Sequence, residues 1–265
     1  ADLAAIEMVG MGGEFQADTD LRIALTGAPM RASIDGVAVA WNASHLLPAG
    51  TRLAIGAARG GSYGYLHVGG GFQTPEHLGA RSAHLAAGIG APLAAGEVLD
   101  TGPDSGRSTG LGLTPDNRFE GGLVRVVASL QTALFPQAEL TRFEQTCFRA
   151  RTVVSEVIVP GDIQVTGDGT PYVLLSECQT TGGYPRIGTV VPCDLPLLAQ
   201  AAAGAELQFR FIPLEEAVEL ERAEAERRAG LRSQCRPLIR DPRSMTNLLS
   251  YQLISGAIAG EEDVL

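Results

Sequence analysis

The sequence predicts a mainly β protein made of two related domains in tandem, with a few short helices. Three observations predict this. Apolar runs are four to six residues long and separated by Gly-bearing breaks, which suits strands of a sheet or barrel. Glycine and proline are plentiful, at 33 and 15 of 265 residues, as in a chain with many turns. A template also recurs. Gly50 and Gly71 have the same spacing as Gly161 and Gly182. In each half a strand-like run (Tyr65-Leu66-His67-Val68; Tyr172-Val173-Leu174-Leu175) leads to a Gly-Gly-aromatic segment, Gly70-Gly71-Phe72 and Gly182-Gly183-Tyr184. Pro75 and Pro185 follow, and later Ala95-Gly96-Glu97-Val98-Leu99 matches Ala203-Gly204-Ala205-Glu206-Leu207.

In chain order, residues 1–105 form the first expected domain. Its strands are sought in Ala5–Val9, Leu21–Leu25, Ile34–Val39, Arg52–Ile55 and Tyr63–Val68, with Asp35-Gly36 as a hairpin signal. Residues 75–91 suit a short helix carrying Arg81, and residues 93–99 a further strand. Residues 106–122 read as a glycine-rich linker or loop. The second domain spans residues 123–230. It opens on Leu123-Val124-Arg125-Val126-Val127 and holds a helix from Gln137 to Cys147, with Leu140, Phe143 and Cys147 on one face. A clear helix starts at Pro213, with Leu214, Ala217 and Val218 as its apolar face, Glu224 and Arg228 four apart, and Gly230 as a stop. Residues 231–265 are expected to pack back on the barrels, with Leu248–Ser255 as a strand.

Composition excludes several functions. The formal net charge is −10 and the chain contains no lysine, so all 20 basic residues are arginines. It has no P-loop lysine, no Schiff base and no lysine to carry biotin. Without a basic block it is a poor nucleic-acid binder. No apolar run reaches 18 residues, so no membrane span is expected, and no signal peptide is visible. Cys147, Cys178, Cys193 and Cys235 form no C-x-x-C pair, and His45, His67, His77 and His84 have no ligand spacing; no metal site is expected. Free thiols suit a cytoplasmic protein.

The stretch with most chemistry is Gln179-Thr180-Thr181-Gly182-Gly183-Tyr184-Pro185, set between two strand-like runs. A plain turn needs fewer polar groups than this. Its glycines permit close backbone approach to a ligand, and their N–H groups suit an anion. The plainer alternative is a decorated loop.

Gly161-Asp162-Ile163-Gln164-Val165, Gly169–Leu175, Gln179–Pro185, Asp194-Leu195 and Leu198-Ala199-Gln200 resemble the KipA family. Its members are also called allophanate hydrolase subunit 2, biotin-dependent carboxyltransferase-like proteins, or C subunits of 5-oxoprolinase. Ala24–Ala28, Tyr65–Phe72 and Leu78–Ser82 agree with it. The resemblance implies two cyclophilin-like β-barrel domains, a KipI-like B subunit as partner and, for a 5-oxoprolinase, a LamB-like A subunit. It implies ATP-driven opening of 5-oxo-L-proline to glutamate, with ATP as a co-substrate of the complex. Two alternatives stand beside it. One is a carboxyltransferase component using biotin carried by another protein. The other is a non-enzymatic regulator that binds a KipI-like partner.

On the first reading Glu177 is the candidate acid/base. Gln164, Gln179, Thr180 and Thr181 are candidate substrate contacts and Tyr184 one wall. Gly182, Gly183, Gly70, Gly71 and Arg81 complete the candidate binding set, Arg81 as a carboxylate holder or a structural pair. Two departures from the family are visible. Residues 148–154 run straight through where an Arg-Met-Gly-type segment is expected, and Ala128-Ser129-Leu130-Gln131 replaces a Gly-Pro-Gln. The ligand is expected at the second barrel, near its junction with the first.

Overall fold

A computed structural model describes residues 3–106, 108–116, 118–149, 159–176 and 184–239. The first half contains β1 (Ile6–Val9), β2 (Glu14–Gln16), β3 (Leu21–Gly27), β4 (Met30–Ile34), β5 (Val37–Ala38), β6 (Ala43–Leu47), β7 (Arg52–Ala58) and β8 (Tyr63–Val68). After them come β9 (Leu111–Gly112), β10 (Gly121–Val127), α1 (Gln137–Gln145), β11 (Cys147–Arg149), β12 (Asp162–Val165), β13 (Pro171–Val173) and β14 (Arg186–Val190). The described chain closes with α2 (Leu195–Gln200), β15 (Glu206–Phe211), α3 (Leu214–Gln234) and β16 (Arg236–Pro237). The chain is mainly β, as its sequence predicts, with a sheet curled into a half-barrel.

Three sheets carry the fold. The first runs β1-β8-β3-β6-β9-β16, the second β11-β15-β10-β14-β12-β13, the third β2-β7-β4-β5. Alternation decides which face is buried. In β8, Gly64, Leu66 and Val68 are buried, while Tyr63, Tyr65 and His67 are half-buried on the other face. Ile23, Leu25, Leu53, Ile55 and Leu66 join the core between the first and third sheets. A second core gathers Val124, Val126, Ile163, Ile187 and Phe209 from the second sheet with Phe143 of α1. The rings of Phe143 and Phe209 stack with centroids 4.9 Å apart. In the β4–β5 hairpin Asp35 and Gly36 have φ of 45° and 81°, the left-handed pair that Asp-Gly tolerates in a two-residue turn.

Several local expectations change. Residues 93–99 form no strand. Gly96 at φ 83° bends the chain there, and the Glu97 carboxylate caps the Ala94 N–H. Leu111–Gly112, within the glycine-rich stretch, pairs with β6 and β16 at the edge of the first sheet. α1 ends at Gln145, so Cys147 leaves the helix and opens β11, paired with β15. α3 runs through Gly230 to Gln234, because an isolated glycine weakens a helix without ending it. Of its expected apolar face only Ala217 is buried; Leu214 and Val218 are 61% and 40% exposed. The strand expected at Leu248–Ser255 lies outside the described residues.

The repeated segments occupy different places. β8 lies between β1 and β3, whereas β13 pairs with β12 alone among the described strands. The Ala-Gly-acid-Leu motif is a turn in the first half and enters β15 in the second.

Candidate functional site

β12 supplies the frame of the site. Ile163 enters the core at 0% exposure, yet Asp162 and Gln164 on its other face are also buried, at 1% and 5%. Buried polar groups need partners, and a buried carboxylate most of all. Asp162 finds two on β14: Arg186 Nη1 donates to Oδ2 at 2.8 Å and Thr189 Oγ1 to Oδ1 at 2.7 Å. Residues three apart on a regular strand face opposite ways. The register slips between Ile163 and Gln164: Ile163 pairs with Gly188 and Gln164 with Arg186, leaving Ile187 as the extra residue. That bulge lets Arg186 and Thr189 meet one carboxylate.

Arg186 is pinned by its backbone as well. Its N–H donates to Gln131 Oε1 at 2.7 Å, and its carbonyl accepts from Ser129 Oγ at 3.0 Å. Thr132 Oγ1 donates to the Ile187 carbonyl at 2.7 Å. Residues 129–132 thus clamp the end of the loop that joins β13 to β14. In the sheet β12 lies between those two strands. At the loop's exit Gln164 Nε2 reaches the Tyr184 carbonyl at 3.5 Å, and Tyr184 itself is 53% exposed.

Glu177, Gln179, Thr180, Thr181, Gly182 and Gly183 lie outside the described residues. The structure brings Gln164 to Tyr184. It does not link Gly70, Gly71 or Arg81 to them by any hydrogen bond among the described residues. Gly70 and Gly71 have φ of 82° and 70°, and a side chain on either would collide with the protein's own segments at Gly102 and Leu3. These glycines therefore serve close packing of the chain on itself, and the loop is not an open phosphate cradle. Arg81 Nη1 donates to the Thr74 carbonyl and pairs with no carboxylate among the described residues. Asp162, Arg186, Gln131, Ser129 and Thr189 are not among the site residues that the sequence singles out. Their signal was a charge at the start of short apolar strands, Asp162 before Ile163 and Arg186 before Ile187.

Two further polar clusters occur among the described residues. On the first sheet Thr26 Oγ1 and His67 Nε2 are 2.9 Å apart, and burial holds the His67 imidazole below its usual range. Beside them the Tyr65 hydroxyl donates to Glu7 at 2.8 Å; burial and that carboxylate raise the phenol. At the start of α2, Arg125 binds Asp194 through Nε and Nη2. Burial first, then Asp194 and Glu221, push the neighbouring Cys193 thiol up to about 11. Among the described residues no group of three His, Cys, Asp or Glu side chains could hold a metal ion. No described helix is long and apolar enough to cross a membrane.

Around β12 and β14, then, a buried carboxamide, a partly exposed guanidinium and a clamped loop exit lie together. The carboxyltransferase domain family, subdomain A and B, matches residues 1–152 and 148–211. The chain belongs to that family. The two matched pieces meet at 148–152, where the expected Arg-Met-Gly-type segment is missing. The C subunit of 5-oxoprolinase from Haemophilus influenzae is 31% identical over 246 residues, 83% of this chain and 79% of that protein. The Escherichia coli protein of the same name is 31% identical over 76% of this chain and 73% of its own length. The crystal structure of TTHA0988 superposes with a TM-score of 0.70 at 30% identity, covering 78% of this chain. The chain spans 45% of the length of that one. Kluyveromyces lactis urea amidolyase superposes with a TM-score of 0.74 at 18% identity over 90% of this chain and 18% of its own, a likeness of fold.

Proposed function

We propose that this chain is the C subunit of an ATP-dependent 5-oxoprolinase. It acts with a KipI-like B subunit and a LamB-like A subunit to open 5-oxo-L-proline to L-glutamate. The observation that carries this is the 31% identity to the C subunit of a 5-oxoprolinase across 79% of that protein's length. Opening the lactam breaks its C–N bond, adds water across it and delivers a proton to the departing nitrogen. ATP is the co-substrate that activates the carbonyl. In this reading Glu177 handles the proton, while Gln164, Gln179, Thr180 and Thr181 hold the amide. Tyr184 forms a wall at the loop exit, where the contact of Gln164 with its carbonyl supports a shared site.

The test is ADP release on addition of 5-oxo-L-proline to this chain together with its partner proteins. A 5-oxoproline-dependent release that Glu177→Gln lowers at least about a hundredfold is expected. No dependence on 5-oxoproline would sink the reading, and unchanged turnover in Glu177→Gln would remove the role of that residue. The family description and the urea amidolyase-like fold favour a second reading, carboxyl transfer from biotin to a small amide. Since this chain has no lysine, the biotin would arrive on another protein. Avidin inhibition of the activity separates the two.

A further inference from the structure

Four arginines of the described structure hold a carboxylate by the same edge. Arg22 grips Asp104 through Nε and Nη2, Arg125 grips Asp194 the same way, and Arg118 does so with Asp116. Arg227 likewise places Nε and Nη2 on Glu224. In all four the planar edge that matches a carboxylate is spent inside the protein. Arg52, Arg222 and Arg228 give a carboxylate one nitrogen each, and so does Arg186, although its carboxylate is by far the most buried of these. Arg186 gives Asp162 only Nη1, and among the described residues its Nε and Nη2 have no hydrogen-bond partner.

Asp162 makes no demand on that edge. Asp162 is 1% exposed and takes its second hydrogen bond from Thr189, so it is satisfied without the rest of the guanidinium. The Arg186 backbone is fixed at both N–H and C=O. Its side chain remains 29% exposed. Across the ladder its partner is Gln164, and two residues before it stands exposed Tyr184. A chain with net charge −10 and no lysine repels small anions unless a placed arginine offsets that field.

We infer that the Nε–Nη2 edge of Arg186 receives the carboxylate of a small amide or lactam acid beside Gln164. Arg186 then selects for the acid group, and Asp162 is a positioning residue that orients the fork. The inference rests on the reading of this site as an amide or lactam site, and it names the part of the ligand that the amide-binding groups leave unrecognised. Arginine suits the task because its fork is rigid and bidentate; a lysine would offer a point charge alone.

The test compares two probes on the full-length chain by calorimetric titration: 5-oxo-L-proline, and 2-pyrrolidinone, the same lactam without the carboxylate. The wild type should bind the acid at least tenfold more tightly than the plain lactam. Arg186→Gln should bring that ratio close to one. Arg186→Lys, which keeps the charge and a donor for Asp162, should retain less than a third of it. An unchanged ratio in Arg186→Gln overturns the inference, as does a wild type that treats both probes alike or binds neither. If Arg186→Gln fails to fold by circular dichroism, Arg186→Lys decides, and a wild-type ratio there overturns the proposal. ADP release by the complex with a ratio unaffected at Arg186 would sink this inference alone. A ratio above ten that Arg186→Gln erases, without any 5-oxoproline-dependent ADP release, would sink the 5-oxoprolinase reading alone.

Discussion

Gln200 meets the backbone of Tyr63 on both of its hydrogen-bonding sides. Its Nε2 donates to the Tyr63 carbonyl at 2.9 Å, and its Oε1 accepts the Tyr63 N–H at 3.0 Å and the Ser62 N–H at 3.1 Å. A carboxamide at the end of α2 thus acts as one rung of a β-ladder for the start of β8, joining the two halves of the chain. It is only 8% exposed, so its own amide has little water as an alternative. Gln200→Ala is expected to destabilise the protein by about 1–3 kcal/mol, the cost of leaving buried polar groups unpaired. Urea denaturation measures it. Gln200→Glu should be no milder, since a carboxylate cannot donate to the Tyr63 carbonyl.

Asp162 bears a larger cost. Removing one member of a buried ion pair strands the other, which costs about 3–5 kcal/mol. Arg186 is 29% exposed, so Asp162→Ala should fall near the lower end of that range. Asp162→Asn, which can still accept from Thr189, should cost less. Equal denaturation midpoints for the wild type and Asp162→Ala would contradict this account.

Gly70 and Gly79 offer a matched comparison, because both have φ of 82° and only Gly70 is crowded. Gly79→Ala pays for the left-handed conformation alone, about 1–2 kcal/mol. Gly70→Ala adds a collision with the Gly102 carbonyl and should lose clearly more in the same thermal melt. Similar losses at the two positions would show that the 102–104 segment yields freely.

Glu224 makes α3 sensitive to acid. Hydrogen bonds from Arg227, then Arg228, hold its carboxyl down to about 2. A carboxylate depressed in the folded state contributes stability above its ordinary value near 4.5, and loses it as pH falls toward 2. The far-ultraviolet helical signal should weaken between those pH values, and Glu224→Gln should flatten that part of the titration.

Cys193 should behave as an inert thiol. With its pKa pushed up to about 11, it is almost wholly protonated at about pH 8. Iodoacetamide at that pH should label it far more slowly in the native protein than in urea, as peptide mapping would report.

Much of the fold was legible. Short apolar runs predicted β1, β3, β7 and β8, and Asp35-Gly36 predicted the turn after β4, because strand alternation and turn chemistry are local; the strand sought over Ile34–Val39 is instead the end of β4, that turn and β5. The Leu93–Leu99 run misled because Gly96 supplies a bend that hydrophobicity does not reveal. Leu111-Gly112 was invisible as a strand: two residues carry no periodicity, and they are strand only because β6 offers an edge. The candidate frame was legible in the sequence to the extent that Gln164 and Tyr184 were singled out and meet in the structure. It was not legible in Gln131 and Ser129, whose work is to clamp a strand some 55 residues further on.

By itself the sequence determined the β-rich class, a chemistry without lysine, and the carboxamide-, hydroxyl- and glycine-bearing loop that ends at Tyr184 and Pro185. Only the tertiary structure decided that Arg186, beyond that loop, shares a buried carboxylate with Thr189 and, among the described residues, keeps its bidentate edge uncommitted. The reason is physical. Spacing along a strand sets which face a residue takes, but a one-residue bulge between β12 and β14 overrides that parity. The bulge exists only when the two strands are paired.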